Sequence, residues 1–323
     1  MKGSYRVVVS NAKLRYDFTI RRNITIIKGD SATGKTTLVE MIREHYESGK
    51  NSGIELNCDK PCRTLAGRDW KTLLATIQES IVFIDEDNDF LPTHEFAEAV
   101  RESNNYYVIV TREGLPNLPY SAEEIYGIRE SGKYATLKQT YQEFYHIYRR
   151  GDYTGSVKPE NVIVEDSNSG YDFFKGLSEH ENYEVISAGG KSNIFSEIIK
   201  NPNRNTLIIA DGAAFGPEMD RVMKQIHRRN GIALYLPESF EWMILKSGII
   251  EDKEVKEILT EPERYIESRQ YFSWERFFAA LLVNKTDGTY LKYTKKTLNP
   301  AYLNEKVASR ILDVMDGIEL PLR

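Results

Sequence analysis

Between Gly29 and Thr37 the chain reads Gly-Asp-Ser-Ala-Thr-Gly-Lys-Thr-Thr, behind the apolar run Ile24 to Ile27 and ahead of a helical segment. This is the spacing G-x-x-x-x-G-K-[ST] in the setting it requires, strand to glycine loop to helix. Gly29 and Gly34 let the backbone close on phosphate oxygens, and the amides of Asp30, Ser31, Ala32 and Thr33 through Thr36 would face inward as donors. Lys35 would reach the β and γ phosphates, the Thr36 hydroxyl would hold Mg²⁺, and Thr37 completes the loop. A helix starting at Thr36 adds its positive end to the same place. The chemistry called for is the binding of a nucleoside triphosphate with Mg²⁺.

A second set of chemical groups follows a short, wholly apolar run. Ile81-Val82-Phe83-Ile84 leads directly into Asp85-Glu86-Asp87. Carboxylates at the C-terminal end of a buried strand stand where open α/β sheets bind ligands. The segment resembles a Walker B element, in which Asp85 would join the Mg²⁺ shell and Glu86 would polarise the attacking water. The run Tyr106 to Val110 ends in Thr111-Arg112. Thr111 suits a residue that senses the γ phosphate. Arg112 would be a phosphate or subunit-interface cation, or half of a surface salt bridge.

These pieces together resemble the additional-strand P-loop ATPases, the broad group of AAA+, RecA-like and ABC-type enzymes, over about residues 5 to 135. The two strand-like runs from Tyr5 to Ile20 look like the start of an ABC-type domain, although no Leu-Ser-Gly-Gly separates Lys35 from Asp85. The resemblance implies ATP rather than GTP. Asn284-Lys285-Thr286-Asp287 carries the letters of a guanine-specificity motif but lies far outside this stretch.

The second half repeats the alternation of apolar runs and amphipathic segments, as a parallel α/β sheet requires. Val162-Ile163-Val164 ends at Glu165, and Thr206 to Ala210 ends at Asp211. Acids at the ends of two core strands form a recurring divalent-metal arrangement. Three stretches carry a resemblance to TOPRIM domains, above all those of the overcoming-lysogenization-defect nucleases and related phage-defence proteins. They are Val164-Glu165-Asp166 through Phe174, Ser187 to Asn193, and Ile208 to Asp211, with Pro237 to Glu241 as the following acidic segment. The resemblance implies Glu165 as general acid or base near the metal, Asp172 and Asp211 as ligands, and Glu241 at a second metal. Where the family has Asp-x-Asp, this chain has Asp211-Gly212-Ala213, so Glu218 or Asp220 would have to supply the second acid.

Organisation follows from length and composition. A chain of 323 residues, 41% hydrophobic and 28% charged, has room for two cores. The expected fold is α/β with two parallel-sheet domains: a P-loop NTPase domain at 1–155 and a TOPRIM-like, Rossmann-like domain at 156–250. A helical region at 251–323 would follow. Tyr134 to Lys158 reads as a helix and then a linker around Arg149-Arg150-Gly151. The aromatics Tyr265, Tyr271, Phe272, Trp274, Phe277 and Phe278 read as core. Cys58 and Cys62 form a lone C-x-x-x-C with no partner pair to complete a zinc tetrahedron, and read as reduced thiols.

Net charge is −5, which excludes a broadly basic nucleic-acid surface. Local basic candidates are Arg149-Arg150, Arg221 to Arg229, and Lys292 with Lys295-Lys296. No run reaches the ~20 apolar residues that span a bilayer, and Met1 to Arg6 lacks a signal-peptide core. The expected setting is cytoplasmic, without a membrane partner. The leading expectation is an ATPase whose TOPRIM-like half performs, or once performed, metal-dependent cleavage of DNA or RNA, in phage defence or a mobile element. The alternative is a non-nucleolytic ATPase whose degenerate second domain binds nucleic acid or a partner protein, and under either reading a homo-oligomer is a further expected partner. A small-molecule kinase is disfavoured, because no arginine-rich lid follows the loop domain.

Overall fold

The computed structural model describes residues 1–29, 33–131, 139–149, 158–179, 181–202, 204–318 and 320. The chain is α/β and divides into two compact units, residues 1–148 with 261–272 and residues 149–260 with 273–323. Residues 251–323 are thus shared between the units, with 261–272 packing in the first. The expected linker near residue 155 lies outside the described residues.

The first unit is built on a 9-stranded mixed sheet in the order β4-β1-β2-β9-β8-β3-β7-β6-β5. The strands are β1 Tyr5–Ser10, β2 Leu14–Ile20, β3 Ile24–Ile27, β4 Glu55–Asn57, β5 Cys62–Thr64, β6 Ile81–Ile84, β7 Tyr106–Val110, β8 Ile125–Glu130 and β9 Thr140–His146. The five strands β8, β3, β7, β6 and β5 run parallel. Every residue of β3, β6 and β7 is buried, as mainly apolar strands are when both sheet faces are covered. One face takes the helix Lys35–Ser48, whose Leu38, Met41 and Ile42 enter a core with Val9, Tyr16, Phe18, Phe83 and Val108. The opposite face carries an aromatic cluster in which Trp70 stacks on Phe90 at 5.0 Å and meets Phe96 edge-on at 5.6 Å.

Two expectations are corrected here. The sheet is not purely parallel, because β1 pairs antiparallel with β2 and with β4, and β8 antiparallel with β9. The turn at Asn11 to Lys13 is too short for a crossover, so β1 and β2 can only form a hairpin. The helix expected from Tyr134 is absent at Thr140–His146, where the chain forms β9. Its Thr, Tyr and Phe favour a half-buried strand, and Phe144 stacks on Phe18 at 4.1 Å.

The second unit holds a 4-stranded, fully parallel sheet in the order β11-β10-β12-β13. These are β10 Asn161–Val164, β11 Glu184–Ser187, β12 Thr206–Ile209 and β13 Ile232–Tyr235. Helices Ser169–Ser178, Lys191–Lys200, Met219–Arg228 and Phe240–Lys246 follow the strands in turn. The helix Trp274–Thr286 buries Trp274, Phe277, Phe278 and Leu282, so most of the aromatic stretch is core as expected, while Tyr265 is exposed. Among the described residues no helix is long and apolar enough to cross a membrane.

Candidate functional sites

In the first unit the strand order assembles the candidate site. β7 lies between β3 and β6, pairing Ile27 with Val110 and Ile84 with Ile109. All three strands point the same way, so the loop after β3, Thr111 after β7 and Asp85-Glu86 after β6 emerge at one sheet edge. Gly29 and Gly34 hold φ values of +135° and +85°, a region that side chains with a Cβ avoid. At Gly34 a Cβ would also stand 2.8 Å from the Tyr16 hydroxyl. That hydroxyl donates to the Gly34 carbonyl at 2.9 Å and ties the loop to β2.

Lys35 is almost fully buried, and its Nζ donates to the Gly29 carbonyl at 2.9 Å and the Thr33 hydroxyl at 3.0 Å. The ammonium thus lies back across its own loop. Thr36 is exposed and Thr37 partly so, whereas Asp30, Ser31 and Ala32 lie outside the described residues. Asp85 is partly buried, and one of its carboxylate oxygens accepts the Glu86 N–H at 2.8 Å. Thr111 is buried, its N–H donates to Ile27 O at 3.1 Å, and its hydroxyl donates to Glu113 O at 3.0 Å. Glu86 is held by Arg112, whose Nε and Nη2 reach its two carboxylate oxygens at 2.9 and 2.8 Å. Glu86, Asp87, Asp89, Thr111, Arg112 and Glu113 line an open cleft of about 600 Å³, within the size range of small-ligand sites.

In the second unit β10 has β11 on one side and β12 on the other, so the chain winds in opposite directions from the β10–β12 boundary. Ligands of open α/β sheets bind at that crevice, beyond the strand C-termini. Glu165 and Asp211 stand there. The Asp211 N–H donates to the Glu165 carboxylate at 2.9 Å. Burial pushes the Glu165 carboxyl up to about 7, with Glu275 and Asp166 opposing its ionisation. Asp211 is pushed well above the ordinary range by desolvation and then by the charges of Glu275, Glu165 and Glu241. No hydrogen-bond donor among the described residues meets its carboxylate. A cavity of about 20 Å³ opens beside Glu165, Asp166 and Asp211, room for one water-sized body.

The other expected acids divide. Glu241 is buried in this neighbourhood, raised by desolvation, and accepts the Tyr293 hydroxyl at 2.8 Å. Asp172, in the first turn of Ser169–Ser178, accepts the Leu298 N–H at 3.4 Å. Neither Glu218 nor Asp220 is among the principal charges acting on Asp211. Glu218 instead lies 4.0 Å from Arg221. Gly212 explains the Asp-Gly-Ala sequence locally, because its N–H donates to Pro237 O at 2.6 Å and a Cβ would stand 2.8 Å from that oxygen.

Three further residues of this neighbourhood, Glu275, Lys295 and Lys191, were not expected at a metal site. Glu275 heads the helix Trp274–Thr286 and pairs with Lys295 at 2.5 Å. Nearby carboxylates hold the Lys295 ammonium above its usual range, although burial opposes this. Lys191 is lowered by burial while Glu165 and Glu218 act against the shift, and its Nζ donates to Ala214 O at 2.8 Å. Lys295 was visible only as part of a basic stretch. Nothing in the spacing marks Glu275.

Among the described residues no three His, Cys, Asp or Glu side chains close round one point as a ready-made metal site. Mg²⁺ does not require that, since it keeps several waters and binds through one or two carboxylates. Glu165 and Asp211, two hard oxygen donors beside a small cavity, fit that requirement.

No protein-family model matches the chain, and no curated protein is significantly similar to it.

Proposed function

We propose that the first unit binds and hydrolyses ATP. The observation that carries this is the β3-β7-β6 order, which delivers the Lys35 loop, Thr111 and Asp85-Glu86 to one parallel edge. Lys35 would leave its own loop carbonyl for the β and γ phosphates, whose charge it neutralises. Thr36 and Asp85 would hold Mg²⁺, which supplies charge stabilisation on the phosphate oxygens. Glu86 would take the proton of the attacking water. The direct test is nucleotide affinity and steady-state turnover for the wild type and Lys35→Ala. Lys35→Ala should weaken binding and lose turnover, and hydrolysis at the wild-type rate would overturn the assignment.

For the second unit, metal-dependent phosphodiester cleavage of DNA or RNA is the reading supported by Glu165 and Asp211 at the β10–β12 crevice. Glu165, with its carboxyl near neutrality, would serve as general acid or base, and Asp211 would hold Mg²⁺. A second reading rests on Ala213, which fills the position of the second strand-end acid: the unit then binds nucleic acid or a partner protein without cutting it. Plasmid and RNA cleavage with Mg²⁺ or Mn²⁺, with and without ATP, separates the two. Cleavage by the wild type and none by Glu165→Gln supports the nuclease. Binding without cleavage under any metal supports the module.

A further inference from the structure

The Glu86–Arg112 contact is more specific than a passing surface pair. β6 and β7 are parallel neighbours, so Glu86 and Arg112, each two residues beyond its strand, leave adjacent strand ends on the same edge. Two donors of one guanidinium engage both oxygens of one carboxylate, at 2.9 and 2.8 Å. A planar fork of this kind fixes the carboxylate in orientation as well as position. It also takes up one lone pair on each of the oxygens through which Glu86 would accept a proton from water, and holds the carboxylate facing Arg112.

The structure assigns to Arg112 the role of a latch on Glu86: while the fork is closed the base is withheld, and a bound γ phosphate opens it only in part, by competing for the guanidinium. This rests on the ATPase reading of the same site. Two properties of the pair make the exchange feasible. Arg112 is 62% exposed and lines the same cleft as Glu86. An exposed pair is worth at most about 1 kcal/mol, so a doubly charged phosphate oxygen set, which guanidinium also grips in bidentate fashion, competes with it without emptying the closed state. The arrangement would hold the turnover of bound ATP below the rate that an unlatched Glu86 sustains. Arg112 is then a positioning residue, acting through Glu86.

The test compares kcat at saturating ATP for the wild type, Arg112→Ala and Arg112→Lys, with affinity for a fluorescent ATP analogue measured in parallel. Arg112→Ala should raise kcat by about fivefold, the occupancy that a pair of about 1 kcal/mol withholds. Arg112→Lys, which keeps the charge but loses the fork, should raise it less. Wild-type kcat should also climb with added salt, which screens an exposed pair, while Arg112→Ala stays flat. A merely structural tie predicts neither the gain nor the loss of salt dependence. Should Arg112→Ala melt early, Arg112→Gln keeps part of the stem and an uncharged amide in place of the fork and should still give the gain. Unchanged or reduced kcat in folded variants that bind the analogue overturns the latch alone. A wild type that binds no nucleotide overturns the ATPase reading and the latch with it.

Discussion

The Asp211 N–H donates to the Glu165 carboxylate at 2.9 Å, joining the C-terminal ends of β10 and β12 at the point where the sheet reverses its winding. The bond gives Glu165 one donor from the main chain, yet desolvation outweighs it. The outcome is a crevice in which two neighbouring carboxylates both resist ionisation. Such a crevice gains stability from protons or from a cation.

The pH dependence follows in sign. The Glu165 carboxyl titrates near 7 in the folded chain against 4.5 when unfolded. Between those values the folded form keeps a proton that the unfolded chain has lost. The associated stability is complete below the lower value and is lost as pH rises through the upper one, with a slope of up to about 1.4 kcal/mol per pH unit. Metal-free wild type should therefore show a falling Tm across this window, and Glu165→Gln a flatter profile. Parallel profiles would remove Glu165 as the buried acid. Scanning calorimetry at several pH values in chelator is the measurement.

Tyr293 and Glu241 make a second stability statement. The Tyr293 hydroxyl is buried and donates to the Glu241 carboxylate at 2.8 Å. Tyr293→Phe leaves that carboxylate short of a donor, which should cost about 1–3 kcal/mol in denaturant unfolding. The penalty should shrink in a Glu241→Gln background, because a neutral amide suffers less from the loss. An equal penalty in both backgrounds would show that the tyrosine acts by packing alone.

The first unit offers a steric test. Gly34 combines φ of +85° with a Cβ position 2.8 Å from the Tyr16 hydroxyl. Gly34→Ala should cost about 1–2 kcal/mol from the backbone conformation alone and displace the loop from Tyr16. Binding of an ATP analogue should fall accordingly. Tyr16→Phe in the same chain removes the clash but not the strained φ, so it should restore stability only in part. Full restoration would place the whole effect in the clash.

Much of this was legible because local signals agreed with the fold. β3, β6, β7, β10 and β12 are short, mainly apolar runs with chemistry just beyond their C-terminal ends, so Lys35, Asp85, Glu86, Glu165 and Asp211 could be located by position alone. β9 was not legible, since its pairing with β8 and the stacking of Phe144 on Phe18 are long-range facts. Glu275 and Lys295 approach Asp211 through packing of the chain beyond residue 272, which no periodicity encodes. The Glu86–Arg112 fork depends on β6 and β7 being neighbours, and only the sheet order shows that they are.

Asp211 gives the sharpest test of the second unit. Its carboxylate follows the fully buried strand β12, lies beside the small cavity, and meets no hydrogen-bond donor among the described residues. A carboxylate in that position gains from a cation and has no capping bond to lose. Asp211→Asn keeps the shape and the main-chain bond to Glu165 while removing the charge. It should fold with a Tm at or above that of the metal-free wild type, because a partly desolvated charge crowded by those of Glu275, Glu165 and Glu241 is relieved. It should no longer gain stability from Mg²⁺ or Mn²⁺, and metal-dependent strand cleavage should disappear while ATP turnover in the first unit continues. A thermal shift with and without Mg²⁺ decides the point even if no cleavage is found. Equal stabilisation of wild type and Asp211→Asn by the metal would show that Asp211 is not a ligand, and would favour the reading of this unit as a binding module.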